Sequence, residues 1–181
     1  LKLIGEYNVL NATAAIALCV NLGLKIKVIK KALKSFSGVQ RRLTQVFKKN
    51  KIEFYDDYAH HPTEIKSVLE AVRKVAPKRK IITIFQPHRY SRVKTLKAEF
   101  ISCFKNADQV ILCPVYSAGE PVDKKYNQFK FAKLISKFSK VQIIIIKNEL
   151  DVTKYLRKNL IKDGAGSVSK WMYNLKNNLW K

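Results

Sequence analysis

Two of the chain's three histidines stand side by side in FYDDYAHHPTEI, residues 54–65, directly after Asp56 and Asp57 and directly before Pro62. Carboxylate, phenol and imidazole groups crowded together can coordinate a metal, contact phosphate or another polar ligand, or exchange protons. The same residues can also do no more than cap a helix, because Pro62 suits a first helical turn and Glu64 suits its positive end. Adjacent aspartates on a strand point to opposite faces, so one of Asp56 and Asp57 is expected to enter a site. A metal centre needs three or four converging ligands, for which Asp56, Asp57, His60, His61 and His88 are the candidates. QPHRYSR, residues 86–92, sets His88, Arg89 and Arg92 on one connection, and planar guanidinium groups favour bidentate contacts to carboxylate or phosphate. SGVQRR adds Arg41 and Arg42, and PVYSAGE, residues 114–120, offers Tyr116, Ser117 and Glu120 beside the flexible Gly119.

The elements around these loops follow a regular rhythm. Residues 8–22 read as a helix stopped by Gly23. A second helix over 25–36 carries Ile26, Ile29, Ala32, Leu33 and Phe36 on one face. LTQVF and IEFY flank the polar KKNK and predict a hairpin. Helices are then expected at 62–76, 94–105, 128–138 and 149–161, alternating with strands at 80–85, 109–113 and 141–147. The tail WMYNLKNNLWK reads as a short terminal helix. Fully apolar strands alternating with helices indicate an α/β fold whose mostly parallel sheet has helices on both faces. Ligands of such sheets gather at the carboxyl ends of the strands. DDYAHH, QPHRYSR and PVYSAGE each follow a strand, so all three are expected on one edge.

With 181 residues, 47% of them hydrophobic, the chain can bury an ordinary core. No apolar run reaches the roughly 18 residues that span a membrane, so no membrane partner is expected. Cys19, Cys103 and Cys113 lie far apart in apolar surroundings and read as reduced core thiols, which suits a cytoplasmic protein. The formal net charge of +23 raises the question of nucleic acid. The lysines are scattered through every segment, and no RNA-recognition, helix-turn-helix or zinc-finger pattern is present, so solvated faces explain the charge better. The sequence begins at Leu1 inside what reads as structured chain, and it is expected to belong to a longer protein. No GxxxxGK[ST] phosphate loop occurs, and GAG at 164–166 lacks the spacing of a dinucleotide loop.

GEYNVLNATAAIA, GVQRRL, DDYAHHPTEI, FQPHRYSR and PVYSAGE, in this order, resemble the Mur ligase family over nearly the whole chain. The resemblance implies a helical end of the central ATP-binding domain over 1–37, followed by a Rossmann-like C-terminal domain over 38–181. It implies amide formation in peptidoglycan precursor synthesis, with UDP-N-acetylmuramate, L-alanine and ATP as substrates and Mg2+ as the phosphate-bound ion. It places His60, His88, Arg89 and Arg92 on the L-alanine side and Asn8, Asn11, Arg42 and Asp57 on the nucleotide side. It assigns no metal ligand and no catalytic residue to this portion, which is expected to be inactive alone. Two departures stand out. Tyr7 occupies a position where the family usually has His, and LIKDGAGSVSKW is too short for the strand normally set between KDG and GAG, leaving an incomplete sheet edge. Beside this reading stand a basic nucleic-acid-binding α/β module and a small metal-dependent hydrolase built on Asp57, His60 and His88. Oligomeric state is not legible.

Overall fold

The computed structural model describes residues 3–49, 52–160 and 165–167. Two helices come first, α1 (Glu6–Asn21) and α2 (Ile26–Ser35), and then a hairpin of β1 (Thr44–Lys49) and β2 (Ile52–Asp56). There follow α3 (Pro62–Val75), β3 (Ile81–Phe85), α4 (Tyr90–Thr95), α5 (Lys97–Phe100) and β4 (Gln109–Leu112). The remainder is α6 (Gln128–Ser139), β5 (Gln142–Ile145), α7 (Glu149–Leu160) and β6 (Ala165–Ser167). One six-stranded sheet runs β1-β2-β6-β3-β4-β5. Only β1 is antiparallel; the other neighbours pair parallel, as apolar strands linked by helices require.

Both faces of the sheet are covered. The alternation of strand side chains sends Ile81 and Phe85 of β3 into a cluster with Ile65 and Leu69 of α3, Phe100 of α5, and Phe131 and Ile135 of α6. Ile82 and Ile84 turn the other way and pack with Phe54, Ile111, Val152 and Leu156, the last two from α7. A continuous apolar strand such as IITIF is the signature of this two-sided burial.

Three expectations change. The helix placed at 94–105 starts at Tyr90 and breaks at Leu96 (φ −103°, ψ 28°), which swings Phe100 and Phe104 into the core with no exposed surface. The apolar face expected on α2 buries only Ile29, while Ile26 and Phe36 remain exposed. α1 buries no residue at all and holds Leu10, Leu18 and Leu22 in the open. Finally, Ala165–Ser167 is itself a strand. It pairs with Phe54 and Tyr55 on one side and with Ile81, Ile82 and Thr83 on the other. The shortage of residues there falls in the middle of the sheet, not at its edge. The terminal helix read over 171–181 lies outside the described residues.

Candidate functional site

The site is built where β2, β3 and β4 end. Asp56 closes β2 on the α7 face, 2% exposed, with no hydrogen-bond partner for Oδ1. Asp57 turns to the opposite side, as alternation demands. Its Oδ2 accepts from the Leu43 amide and its Oδ1 from the Ala59 amide, both at 2.7 Å. Burial raises its pKa, opposed by those two backbone bonds and by Arg42. The carboxylate therefore ties GVQRRL to DDYAHH. Tyr58 N adds a bond to Arg41 O at 2.8 Å, and the Arg41 guanidinium stacks 4.3 Å from the Tyr58 ring centre. Arg41 (φ 60°) and Leu43 (φ 47°) are both held left-handed, a conformation that non-glycine residues keep only when the surroundings impose it.

The two adjacent histidines divide the work. His61 is the N-cap of α3: its Nδ1 accepts from Thr63 N at 3.3 Å. Glu64 completes the capping box, its Oε2 accepting from His60 N at 3.0 Å and His61 N at 3.1 Å. That fixes the backbone of the loop and turns His60 toward the site. Its ring lies 5.9 Å from the His88 ring, which lies 5.3 Å from Tyr116.

His88 is placed by the backbone. Residues 87–89 and 116 pair like a short parallel ladder, with Arg89 N bonding Tyr116 O and Tyr116 N bonding Pro87 O, each at 2.8 Å. Arg92, in the first turn of α4, approaches His88 Nδ1 at 3.3 Å. Arg89 starts that helix at φ 70°. Glu120 anchors the start of α4 by accepting from both Ser91 N (3.0 Å) and the Ser91 hydroxyl. These bonds, with Arg89 nearby, lower the pKa of Glu120. Partial burial, then Arg92, His60 and Arg89, lower that of His88, so its neutral form is favoured.

A cavity of about 600 Å3 opens among Asp57, His60, His88 and Tyr116. It continues between α3 and strands β2 and β3, where Thr83, 8% exposed, presents a hydroxyl without a partner. Among the predicted residues, His60, His88 and Asp57 thus meet around one cavity, with Arg92 bonded to His88 and Arg89 beside it. Arg42 influences Asp57 and Tyr7 electrostatically. Asn8 bonds Ile4 O at 2.7 Å within its own helix start, and Asn11 stands exposed on α1. Sequence reasoning marked Tyr7 only as a departure from the family pattern and did not foresee that burial and then Asp57 raise its pKa, nor did it foresee the anchoring by Glu120. A capping carboxylate following a loop of Ala118 (φ 50°) and Gly119 (φ 88°) has no sequence pattern beyond the SAGE tetrapeptide. Among the described residues no group of three or more His, Cys, Asp or Glu is arranged to hold a metal ion. His61 is committed to its cap and Asp56 faces away from the site, which removes two of the five candidate ligands.

The sequence and fold have known counterparts. The chain belongs to the Mur ligase family: the profile described as "Mur ligase, glutamate ligase domain" matches residues 41–165. Among curated relatives, the UDP-N-acetylmuramate–L-alanine ligase of Pelagibacter ubique is 46% identical, over 97% of this chain and 39% of that protein. The enzyme of the same name from Caulobacter vibrioides is 38% identical, over 94% of this chain and 37% of its own length. The crystal structure of UDP-N-acetylmuramate-alanine ligase from Thermotoga maritima superimposes with a TM-score of 0.77 at 26% identity, over 99% of this chain and 38% of that one. The chain thus spans under two fifths of the length of these relatives.

Proposed function

We propose that this chain is the amino-acid-accepting C-terminal portion of an ATP-dependent ligase that joins L-alanine to UDP-N-acetylmuramate in peptidoglycan precursor synthesis. Residues 1–37 are read as the helical end of a central ATP-binding domain and 38–181 as the C-terminal domain. The profile match beginning at residue 41 supports that division. So does the open apolar surface of α1, which asks for a covering domain.

The observation that carries the reading is the cationic notch at the sheet edge. His88 and Arg92 share a hydrogen bond and His60 stands opposite, 5.9 Å away between ring centres. Arg92, Arg89 and the His88 N–H suit an amino-acid carboxylate, since charge-assisted bonds contribute roughly 1.5–3 kcal/mol each. Arg42 and Asp57, on the other side of Tyr58, suit a nucleotide, with Asn8 and Asn11 of α1 facing its base. In this reading the muramate carboxylate is activated as an acyl phosphate, the alanine amine attacks it, and phosphate leaves. Mg2+ would neutralise phosphate charge; the described residues of this chain do not supply its ligand set, and none is assigned here. No helix among the described residues is long and apolar enough to cross a membrane, and a cytoplasmic setting is proposed with the ligase reading. A nucleic-acid partner is not proposed.

The test is phosphate release from ATP by the full-length gene product. Release should require UDP-N-acetylmuramate and L-alanine together. Arg92→Ala should raise the KM for L-alanine at least about tenfold, the equivalent of one charge-assisted bond, and leave the KM for ATP in place. ATP turnover indifferent to L-alanine would refute the reading.

A further inference from the structure

Alternation along β3 turns Thr83 to the same side as Ile81 and Phe85, the side on which α3 packs. There its hydroxyl, in a residue 8% exposed, has no hydrogen-bond partner among the described residues. Valine would fill the position without that cost, since a buried hydroxyl left unpaired destabilises a fold. The residue lines the cavity of about 600 Å3 between α3 and the sheet. Core interiors leave few voids larger than a water molecule, and a space of this size falls within the range of small-ligand pockets. Water suits it poorly. A buried water makes about three hydrogen bonds, whereas α3 lines this space with Val68, Leu69 and Val72, and β3 adds Ile81 and Phe85.

We infer that this compartment binds a small uncharged molecule, mostly apolar, with one hydrogen-bonding group that meets Thr83 Oγ1. An apolar body restores to the walls the contacts that an empty space forfeits, and its polar group satisfies the orphaned hydroxyl. That hydroxyl both donates and accepts, so a carbonyl, a hydroxyl or a ring N–H each suits it. The inference stands apart from the ligase reading, because it uses neither the arginines of QPHRYSR nor the histidines at the cavity mouth.

Charge along the compartment is confined to its ends. Asp57, His60 and His88 stand at the loop end. At the other, where Val75 and Ala76 line the cavity, Glu53 accepts from Arg79 at 3.0 Å and from the Tyr55 hydroxyl at 2.9 Å. Thr83, the middle residue of β3, lies between these ends. A charged ligand seated there would lose its hydration with no ion to pair, so the compartment prefers a neutral ring to its carboxylate.

The test titrates the 181-residue chain with indole, an uncharged ring with one N–H, and reads methyl 1H–13C correlations. Shifts at Val68, Leu69, Val72 and Thr83 should saturate, with half-saturation below about 1 mM. Val152 and Leu156, on the opposite face of the sheet, should hold still. Indole-3-carboxylate should bind at least about tenfold more weakly. Thr83→Val keeps the shape, removes the hydroxyl and should weaken indole about fivefold, the equivalent of one neutral hydrogen bond, while Tm stays level or rises. Val72→Phe should fill the space and abolish the shifts. Shifts that never saturate, that spread to both faces of the sheet, or that indole-3-carboxylate reproduces at equal concentration would overturn the proposal. So would a Thr83→Val chain that binds indole as tightly as wild type, a result that decides the matter even if Val72→Phe fails to fold.

Discussion

Asp57 is the residue whose removal tests most of the site's construction. Asp57→Ala deletes two short bonds, to the Leu43 and Ala59 amides, and leaves both donors without their partner. Bonds of a charged group contribute roughly 1.5–3 kcal/mol each. Burial of the carboxylate, the largest influence on its pKa, together with Glu64 outweighs those bonds for the charged form, so most of that sum is offset. A net loss of about 2 kcal/mol is expected, which for a chain of this size lowers Tm by roughly 4–8 °C. The loss should be local first. Arg41 and Leu43 sit in left-handed conformations costing about 1–3 kcal/mol each, and the brace is what holds them there. Hydrogen exchange at the Leu43, Tyr58 and Ala59 amides should therefore accelerate more than exchange in β3.

The pH dependence has a definite sign. The folded-state pKa of Asp57 is raised, so this group favours folding below its ordinary pKa and loses that contribution as pH rises through the raised value. Asp57→Asn removes the titration, and the stability gap between wild type and this variant should widen on acidification. A gap that narrows instead, or an Asp57→Ala variant within about 0.5 kcal/mol of wild type with the three amides still protected, would refute the brace.

Two other outcomes are expected. Glu53 accepts from Lys48, Tyr55 and Arg79 at 2.9–3.0 Å, and Lys48 foremost lowers its pKa to about 2; its contribution should hold above the usual glutamate range and vanish as pH falls through 2, so Glu53→Gln should flatten the acid limb of an unfolding curve. Val72 lines the cavity beneath α3, so Val72→Leu should stabilise by about 0.8 kcal/mol, one buried methylene, in urea unfolding; destabilisation, the usual cost of overpacking, would show the space to be filled.

The parallel sheet was legible because IITIF and QVIL are apolar without interruption, and only burial on both faces tolerates that. The convergence of DDYAHH, QPHRYSR and PVYSAGE followed from topology alone. Roles within the loops were harder to read. His60 and His61 are chemically identical in the sequence, and their different duties depend on which one meets the Thr63 amide. Asp57 reads as a ligand because it is charged, yet both of its oxygens serve backbone amides fourteen and two residues away. The break at Leu96 leaves no glycine or proline to mark it; the pull of Phe100 and Phe104 into the core decides it. Ala165–Ser167 carries no apolar run to mark it as a strand, and its pairing with β2 and β3 is set by the sheet around it.

The place of Ala165–Ser167 between β2 and β3 also bears on the order of assembly. β6 is the last strand of the described chain and the only bridge between the β1–β2 hairpin and the β3–β4–β5 block. As the polypeptide leaves the ribosome, both halves of the sheet can form and still present bare edges to each other. Such edges recruit foreign strands, and contacts of long sequence separation close slowly. Three residues, arriving after every other described strand, join the two halves, so the interval before they dock is when a newly made chain is exposed to mispairing with its neighbours.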